Sequence, residues 1–443
     1  MEKKKEVLTG KVLAEGKTKQ ILETSLEGMV ALRNKDDMTK HDDPSQTEVA
    51  AGKAAVATAT TSRVFRVLNA SGIPTAFVEP IDGTTFLALG LEMIPLEVVC
   101  RRYAVGSYLK RNPHLARPGD SAPARFSRLE YELFLKTTGR RHKTETPRGP
   151  NVLELPCDDP MVDLVDPGWW DLYDPKAPRT EGSFLGRVRA AVAPPVLARI
   201  EEIARKTFLL LEGFWGTLGY RLVDFKLEFG VENPGDKPED WRIRVGDVID
   251  GDSWRLRTLD WEEMSKERFR QGEAASEVLD KYQVVLGALE GFWVEQDLVV
   301  LWTGSDKDDT GGFPVVNNPW LETDVMAISG HKGTVKALKA LEAMRVGFRR
   351  GVIVDRVGLS NGLGPVLASH TDWQVVNWPD LRGAGSKSNV WSSLAMPSNV
   401  PCVTVLRGSN AALAAYGVLA PGNPWCYMVR RYAAEQFDDG VVV

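Results

Sequence analysis

Cysteine is scarce in this chain and does not cluster: Cys100, Cys157, Cys402 and Cys426 lie far apart, with no C-x-x-C spacing. That arrangement implies neither a disulfide framework nor a structural zinc site, and it suits a reducing, cytoplasmic compartment. An apolar run of about 18 residues is also missing, so no membrane-spanning helix is expected. An excess of one charge is missing too, since 55 basic residues face 60 acidic ones for a formal net charge of -5. A dedicated nucleic-acid binder or a polybasic membrane anchor would need such an excess, so local basic clusters are expected to serve small anions. The start, Met1-Glu-Lys-Lys-Lys5, has no apolar stretch behind it and reads as a soluble beginning without a leader. Neither an internal repeat nor a low-complexity tract is present.

What is present is length and a change of texture. At 443 residues the chain is about three times a typical ~150-residue domain, which predicts two or three cores. From Val7 to Leu32 apolar residues alternate around turn residues, as in a hairpin with Gly16 and Lys17 near its bend. Ala50 to Leu68 has helical spacing, and Phe86 to Leu89 and Pro95 to Cys100 read as strands. Two Pro/Gly/Arg-rich segments, Ala116 to Phe126 and Thr137 to Pro160, lack a sustained period and read as long loops, the second as an insertion. An amphipathic helix is expected over Pro195 to Gly213, strands over Arg221 to Phe229 and Trp241 to Ile249, and a bridging helix from about Trp261 to Glu295. Beyond it short apolar strands recur at Leu298 to Trp302, Asp324 to Ile328, Gly351 to Val357, Gln374 to Trp378 and Cys402 to Leu406, with helical segments between several of them. Such alternation predicts a parallel sheet covered on both faces, with ligands bound beyond the carboxyl ends of the strands.

Two stretches carry the chemistry of the first part. In Glu15-Gly-Lys-Thr-Lys19 the two lysines are one residue apart, so on a strand both ammonium groups face the same side and suit a polyphosphate. Asp224-Phe-Lys-Leu-Glu228 likewise puts Asp224, Lys226 and Glu228 on one strand face, and Gly246-Asp-Val-Ile-Asp-Gly-Asp252 adds further carboxylates. Hard oxygen ligands beside lysines fit magnesium bound to a nucleotide, although a solvated, salt-bridged strand face would read the same way.

Five ordered motifs make residues 7 to 290 resemble the phosphoribosylaminoimidazole-succinocarboxamide (SAICAR) synthetases. They are Glu15 to Lys19, Cys100-Arg-Arg-Tyr-Ala-Val-Gly-Ser107 with Lys110-Arg111, Leu222 to Gly230, Gly246 to Arg255, and Arg268-Phe-Arg-Gln271. The resemblance implies a two-lobed α+β domain over 1–290. It also implies a reaction in which ATP phosphorylates the carboxylate of carboxyaminoimidazole ribotide and the amine of aspartate attacks the acyl phosphate. By the same resemblance Gly16, Lys17 and Lys19 hold nucleotide phosphates, Glu228 and Asp247 hold Mg2+, and Lys226 faces the transferring phosphoryl group. Arg101 and Ser107 grip the ribotide phosphate, while Asp159, Asp252 and Arg255 contact substrate. Two places depart from the family: Thr39-Lys-His-Asp-Asp-Pro44 stands where a Thr- or Ser-Ala-Gly loop is usual, and the Thr137 to Pro160 insertion precedes Asp158-Asp-Pro160.

Residues 298–443 carry Gly304-Ser305, Ser329-Gly-His-Lys-Gly333, Ser360-Asn-Gly-Leu-Gly-Pro365 and Val390-Trp-Ser-Ser-Leu394. In that order they resemble the aminoimidazole ribotide (AIR) carboxylases that animals fuse behind the synthetase. The resemblance implies an α/β flavodoxin-like parallel-sheet domain, assembly into a homo-oligomer such as an octamer, and carboxylation of aminoimidazole ribotide by carbon dioxide without biotin. His331 would carry the proton of the ring carbon, for which imidazole is suited because it titrates near neutrality. Ser305, Asp308, Lys332, Ser360 and Asn361 would bind the ribotide. Leu359 replaces the family's arginine, Lys307 replaces a small polar residue, and Asp308 to Pro319 is too rich in glycine, proline and asparagine for the usual helix. Those departures leave open a carboxylase-like domain that serves only assembly. The first domain's departures leave open a paralogue that ligates an amine to another azole carboxylate nucleotide. No nucleic-acid or membrane partner is expected.

Overall fold

The computed structural model of the chain describes residues 7–39, 47–119, 122–137, 141–156, 158–232, 234–235, 237–292, 295–358, 361–382 and 386–442. Lys40 to Pro44 of the divergent first loop, Cys157, Leu359 and Ser360 lie outside the described residues. Two compact units result: one contains residues 1–208, 218–292 and 435–443, the other 209–217 and 293–434.

Two large sheets and two small two-stranded ones make the first unit, which is the two-lobed α+β arrangement. The five-stranded sheet begins with the antiparallel hairpin Leu8–Glu15 and Lys19–Thr24, and continues through Met29–Asn34 and Thr85–Leu89 to Phe77–Pro80. Helix Lys53–Ala70 packs on it through Val64, Phe65 and Leu68, all buried. The eight-stranded sheet is centred on three long antiparallel neighbours, Arg125–Leu135, Glu92–Tyr103 and Tyr220–Glu232. Helix Pro194–Thr217 covers it, with Phe208 and Phe225 rings 5.1 Å apart; each buried side chain of this size contributes roughly 1.5–3 kcal/mol.

Three expectations change here. Lys17 lies in the bend between the first two strands rather than on a strand, so only Lys19 has its direction set by strand geometry. The Thr137 to Pro160 segment holds a hairpin, Arg141–Thr146 paired with Gly149–Glu154. Its first strand alternates charged residues with histidine and threonine, and its second carries only Val152 and Leu153 as apolar residues, side by side, so no apolar period betrays it. The helix expected from Trp261 to Glu295 is instead Glu267–Arg270 followed by Ala275–Glu290. Gly272 separates them at φ +107°, a conformation a helix interior does not admit.

In the second unit five parallel strands, Asp297–Thr303, Leu321–Ala327, Gly351–Val357, Gln374–Pro379 and Cys402–Thr404, lie in the order second, first, third, fourth, fifth. That is the flavodoxin-like order. Alternation along each strand feeds two cores: Val299, Leu301, Val352 and Val354 pack on helices Gly408–Leu419 and Pro424–Glu435, and Leu298, Val300 and Ile353 on helices Thr334–Gly347 and Leu363–Ala368. Among the described residues no helix forms between Ser305 and Asn317, as the sequence led us to expect, and Asn317–Asn318 adds a short antiparallel edge. Cys100, Cys402 and Cys426 are free.

Candidate functional site

Between the two sheets of the first unit lies a cavity of about 1220 Å³. Its floor follows from register. Glu92–Tyr103 and Tyr220–Glu232 pair with Asp224 opposite Arg101, Lys226 opposite Val99 and Glu228 opposite Glu97, so alternate residues of both strands face one side. Lys226 Nζ lies 3.0 Å from Glu97 Oε2 and Lys136 Nζ 2.8 Å from Glu228 Oε1, while Lys19 bonds Asp247. Burial works against the charge on Lys226 and Lys136, but Glu97 for the first and Glu228 for the second more than offset it and move both ammonium pKa values up. The cavity therefore presents ammonium groups already ionised and held in place by carboxylates. Gly16 and Lys17 close its rim from the first hairpin, and Asp247 lies beside Gly246, which pairs with Glu228.

At the other end of the floor runs a buried chain of alternating charge. Arg111 bonds Glu132, whose other oxygen receives Arg101 Nε at 2.7 Å. Arg101 Nη1 and Arg255 Nη1 both donate to Asp224 Oδ2 at 2.5 Å, and Arg255 reaches Glu267 at 3.3 Å. Ser107 opens the short helix Ser107–Arg111 and lines the cavity with Arg101. Gly106 before it has φ +58°, and a Cβ there would lie 2.7 Å from Arg255 Nη2, so glycine lets the loop close over the guanidinium.

Asp159 also lines the cavity. Its Oδ1 accepts the Thr137 N–H at 3.0 Å, and burial pushes its carboxyl pKa up. Asp252 and Arg255 are absent from the lining. Asp252 accepts Lys53 at 2.9 Å and the Tyr282 hydroxyl at 2.8 Å. Burial alone would raise that carboxyl, but Lys53 and Lys266 hold it well below the usual carboxylate range. Glu97, Lys136 and Lys176 also line the cavity and were not picked out from the sequence. Glu97 shares strand parity with Arg101, which would have revealed it; Lys176 sits in a segment without period and had no such signal.

The second unit gathers its candidates at the carboxyl ends of its strands. Ser305 follows the first strand, its N–H capped by Asp308 Oδ2 at 2.9 Å. His331 and Lys332 follow the second, and the Lys332 N–H donates to Ser329 Oγ at 3.2 Å. Asn361 lies in the loop after the third strand. A Cβ at Gly362 would lie 2.1 Å from His331 Cε1, so the imidazole packs directly on the Asn361-Gly362 backbone. Ser305 and His331 leave neighbouring strands, since Thr303 pairs with Ala327. Among the described residues no group of three or more His, Cys, Asp or Glu forms a metal-binding cluster.

A model of the family described as SAICAR synthetase matches residues 12–138 and 183–288, and one described as AIR carboxylase matches 299–435. The probable multifunctional protein ADE2 of Caenorhabditis elegans is 33% identical over 435 residues, covering 93% of this chain and 90% of that protein. The bifunctional phosphoribosylaminoimidazole carboxylase/phosphoribosylaminoimidazole succinocarboxamide synthetase of Homo sapiens is 30% identical over 430 residues, covering 94% and 91%. Among solved structures, a SAICAR synthetase in complex with ADP aligns at TM-score 0.48 and 24% identity over 64% of this chain and 98% of that one. Treponema denticola PurE aligns at TM-score 0.28 and 21% identity over 32% and 92%. With both family matches in one chain and relatives of 30% identity or more along nearly its whole length, the chain belongs to the SAICAR synthetase family, in the branch that carries an AIR carboxylase domain behind the synthetase.

Proposed function

We propose that residues 1–290 form an ATP-dependent ligase domain that joins aspartate to carboxyaminoimidazole ribotide, and that residues 298–443 form a domain that carboxylates aminoimidazole ribotide. The observation that carries the ligase reading is the floor of the first cavity, where three lysines alternate with carboxylates beside a buried arginine pair. Forming an acyl phosphate asks for alignment and neutralisation of a polyphosphate more than for a covalent nucleophile on the protein. Gly16, Lys17 and Lys19 hold the nucleotide phosphates from the hairpin rim. Lys226, on the floor, moves from Glu97 to the transferring phosphoryl group, and Lys136 adds a second cation there. Arg101 and Ser107 take the ribotide phosphate, with guanidinium suited to bidentate contact. Arg255 and Asp252 act from behind the wall, the first by sharing Asp224 with Arg101 and the second by fixing Lys53. Asp159, held by the Thr137 N–H beside Lys136, contacts substrate from the cavity wall.

Glu228 and Asp247 fit magnesium, which commonly takes one or two protein carboxylates plus phosphate oxygens. When bound with the nucleotide, the ion supplies charge neutralisation across the phosphates.

In the second domain His331, seated on the Asn361-Gly362 backbone, accepts the proton that the ring carbon loses as it gains carbon dioxide and passes it on to solvent. Ser305, Asp308, Lys332 and Asn361 take the ribotide, and no biotin takes part. We place the enzyme in the cytoplasm as a homo-oligomer acting on small molecules; no helix among the described residues is long and apolar enough to cross a membrane. The test is product identification by mass after incubation with magnesium, ATP, aspartate and carboxyaminoimidazole ribotide. Succinocarboxamide supports the ligase, and its absence from folded, ATP-binding protein turns the reading toward another amine or azole.

A further inference from the structure

Beneath the Asn361 loop of the second unit lies a group of buried polar atoms that the proposed reaction does not use. Asp355, on the third parallel strand, and Asn377, on the fourth, pair in register and are both 0% exposed. They share the sheet face of Ile353 and Val375, which helix Leu363–Ala368 covers. A Cβ at Gly364 would lie 2.4 Å from Asn377 Oδ1, 2.8 Å from Asp355 Oδ2 and 3.0 Å from Asn361 Nδ2, so these three atoms converge on one small space. Among the described residues none of the three makes a well-formed hydrogen bond, nor does Asp355 Oδ1, although the N–H groups of Asp355 and Gly364 lie near the carboxyl and the Cys402 thiol lies near Asn377. The Gly364 N–H, near the carboxyl, already donates to Asn361 Oδ1 at 2.9 Å.

The orientation of both amides is fixed by their other ends. Asn377 Nδ2 donates to the Ser393 carbonyl at 2.9 Å, so its Oδ1 is the end turned toward Asp355 and needs a donor. Asn361 Oδ1 accepts from Gly364, so its Nδ2 is a donor that needs an acceptor. A carboxylate can satisfy only the second. A carboxylic acid can satisfy both once the side chains draw together, giving its O–H to Asn377 Oδ1 and receiving Asn361 Nδ2 on its carbonyl; as they stand, Asn361 Nδ2 makes no hydrogen bond to the carboxyl. Among the described residues no cation pairs with the carboxyl, and only the Asp355 and Gly364 N–H groups favour its ionised form. Helix Leu363–Ala368 and strand Gln374–Pro379 carry no charged residue, Asp297 sits at the far end of its strand, and Arg356 turns to the other face to meet Asp380 and Trp378. The titratable neighbours are His331, across Gly362, and the Cys402 thiol, which burial and Asp355 push up to about 12.

We propose that Asp355 is held as a neutral carboxylic acid that ties Asn361 to Asn377 and so positions the ribotide-binding loop beside His331. Burial pushes the Asp355 carboxyl up to about 8, in line with that geometry. The functional half rests on the carboxylase reading of this domain, whereas the protonation state does not.

Infrared difference spectra of the full-length protein, wild type minus Asp355→Asn, test it. The asparagine is isosteric and can make both contacts. A protonated-carboxyl carbonyl band at pH 6, replaced by carboxylate bands as pH rises past about 8, is the expected result. Carboxylate bands already at pH 6 overturn the proposal. In the carboxylation assay Asp355→Ala should raise KM for aminoimidazole ribotide about tenfold, the worth of one lost hydrogen bond, with Asp355→Asn restoring most of it. Equal KM in wild type and the alanine variant overturns the positioning role. A wild type without carboxylation defeats the reading of the domain, while the spectra still decide the state of Asp355.

Discussion

Asp224→Ala is the perturbation with the clearest magnitude, because one buried oxygen of that residue serves two guanidinium groups. Asp224 Oδ2 receives Arg101 Nη1 and Arg255 Nη1, each at 2.5 Å. The side chains of Arg101 and Asp224 are 5% and 6% exposed, so water cannot replace the lost charge. Removing one partner of a buried ion pair costs about 3–5 kcal/mol. Each arginine keeps a second carboxylate, Glu132 for Arg101 and Glu267 for Arg255, so the loss should stay within that range rather than double. Asp224→Asn retains an acceptor and should cost about 2 kcal/mol. Urea unfolding followed by tryptophan fluorescence measures both. If the arginine pair is the anion grip, inorganic phosphate should recover part of the deficit in the alanine variant, about 1.4 kcal/mol at tenfold its Kd. A loss under about 1 kcal/mol with no phosphate effect would refute the idea that Asp224 holds two buried cations ready for substrate.

Other substitutions separate the roles assigned to the two sites. Lys226→Met should lower ligase kcat by about 10²–10³ with ATP affinity little changed, since its ammonium acts on the transferring group; an unaltered kcat removes Lys226 from the chemistry. Lys17→Ala should raise KM for ATP about tenfold through loss of one phosphate contact, and normal ATP kinetics would contradict the rim assignment. His331→Ala should abolish carboxylation and spare ligation; surviving carboxylation excludes His331 as the proton carrier. Asp252→Asn removes the carboxylate that bonds buried Lys53, leaving only the more distant Asp250 and Asp37, and should cost about 3 kcal/mol near neutrality. Because the folded Asp252 pKa is depressed, its contribution is present above the unfolded carboxyl pKa and lost as pH falls below about 4, so the gap to wild type should shrink in acid. An equal gap at pH 7 and pH 3 rejects the ion-pair explanation.

The parallel sheet was legible because its three central strands, the first, third and fourth, are buried on both faces and read as short apolar runs, as Val299, Val300 and Leu301 do. The motifs around Lys19, Arg101 and Lys226 were legible as residue types. What they touch was not, since the Arg101–Asp224 contact depends on cross-strand register between residues 123 positions apart. The Arg141–Glu154 hairpin escaped because its only apolar residues, Val152 and Leu153, are adjacent and set up no alternation. Lys136 escaped because its partner Glu228 is set by tertiary packing of two strands that are not neighbours in the sheet. Asp252 was visible as a carboxylate in a motif, but its commitment to Lys53 depends on a helix about 200 residues earlier in the chain.

The central claim is that the lysine and carboxylate floor of the first cavity drives an ATP-dependent ligation. Its most direct test is ADP release by the purified chain with magnesium, ATP, aspartate and carboxyaminoimidazole ribotide, with the product identified by mass. The account predicts ADP and succinocarboxamide in equal amounts, each requiring all the substrates, and both lost in Lys226→Met. ADP release that does not depend on the ribotide, or product formation undiminished by Lys226→Met, would contradict it.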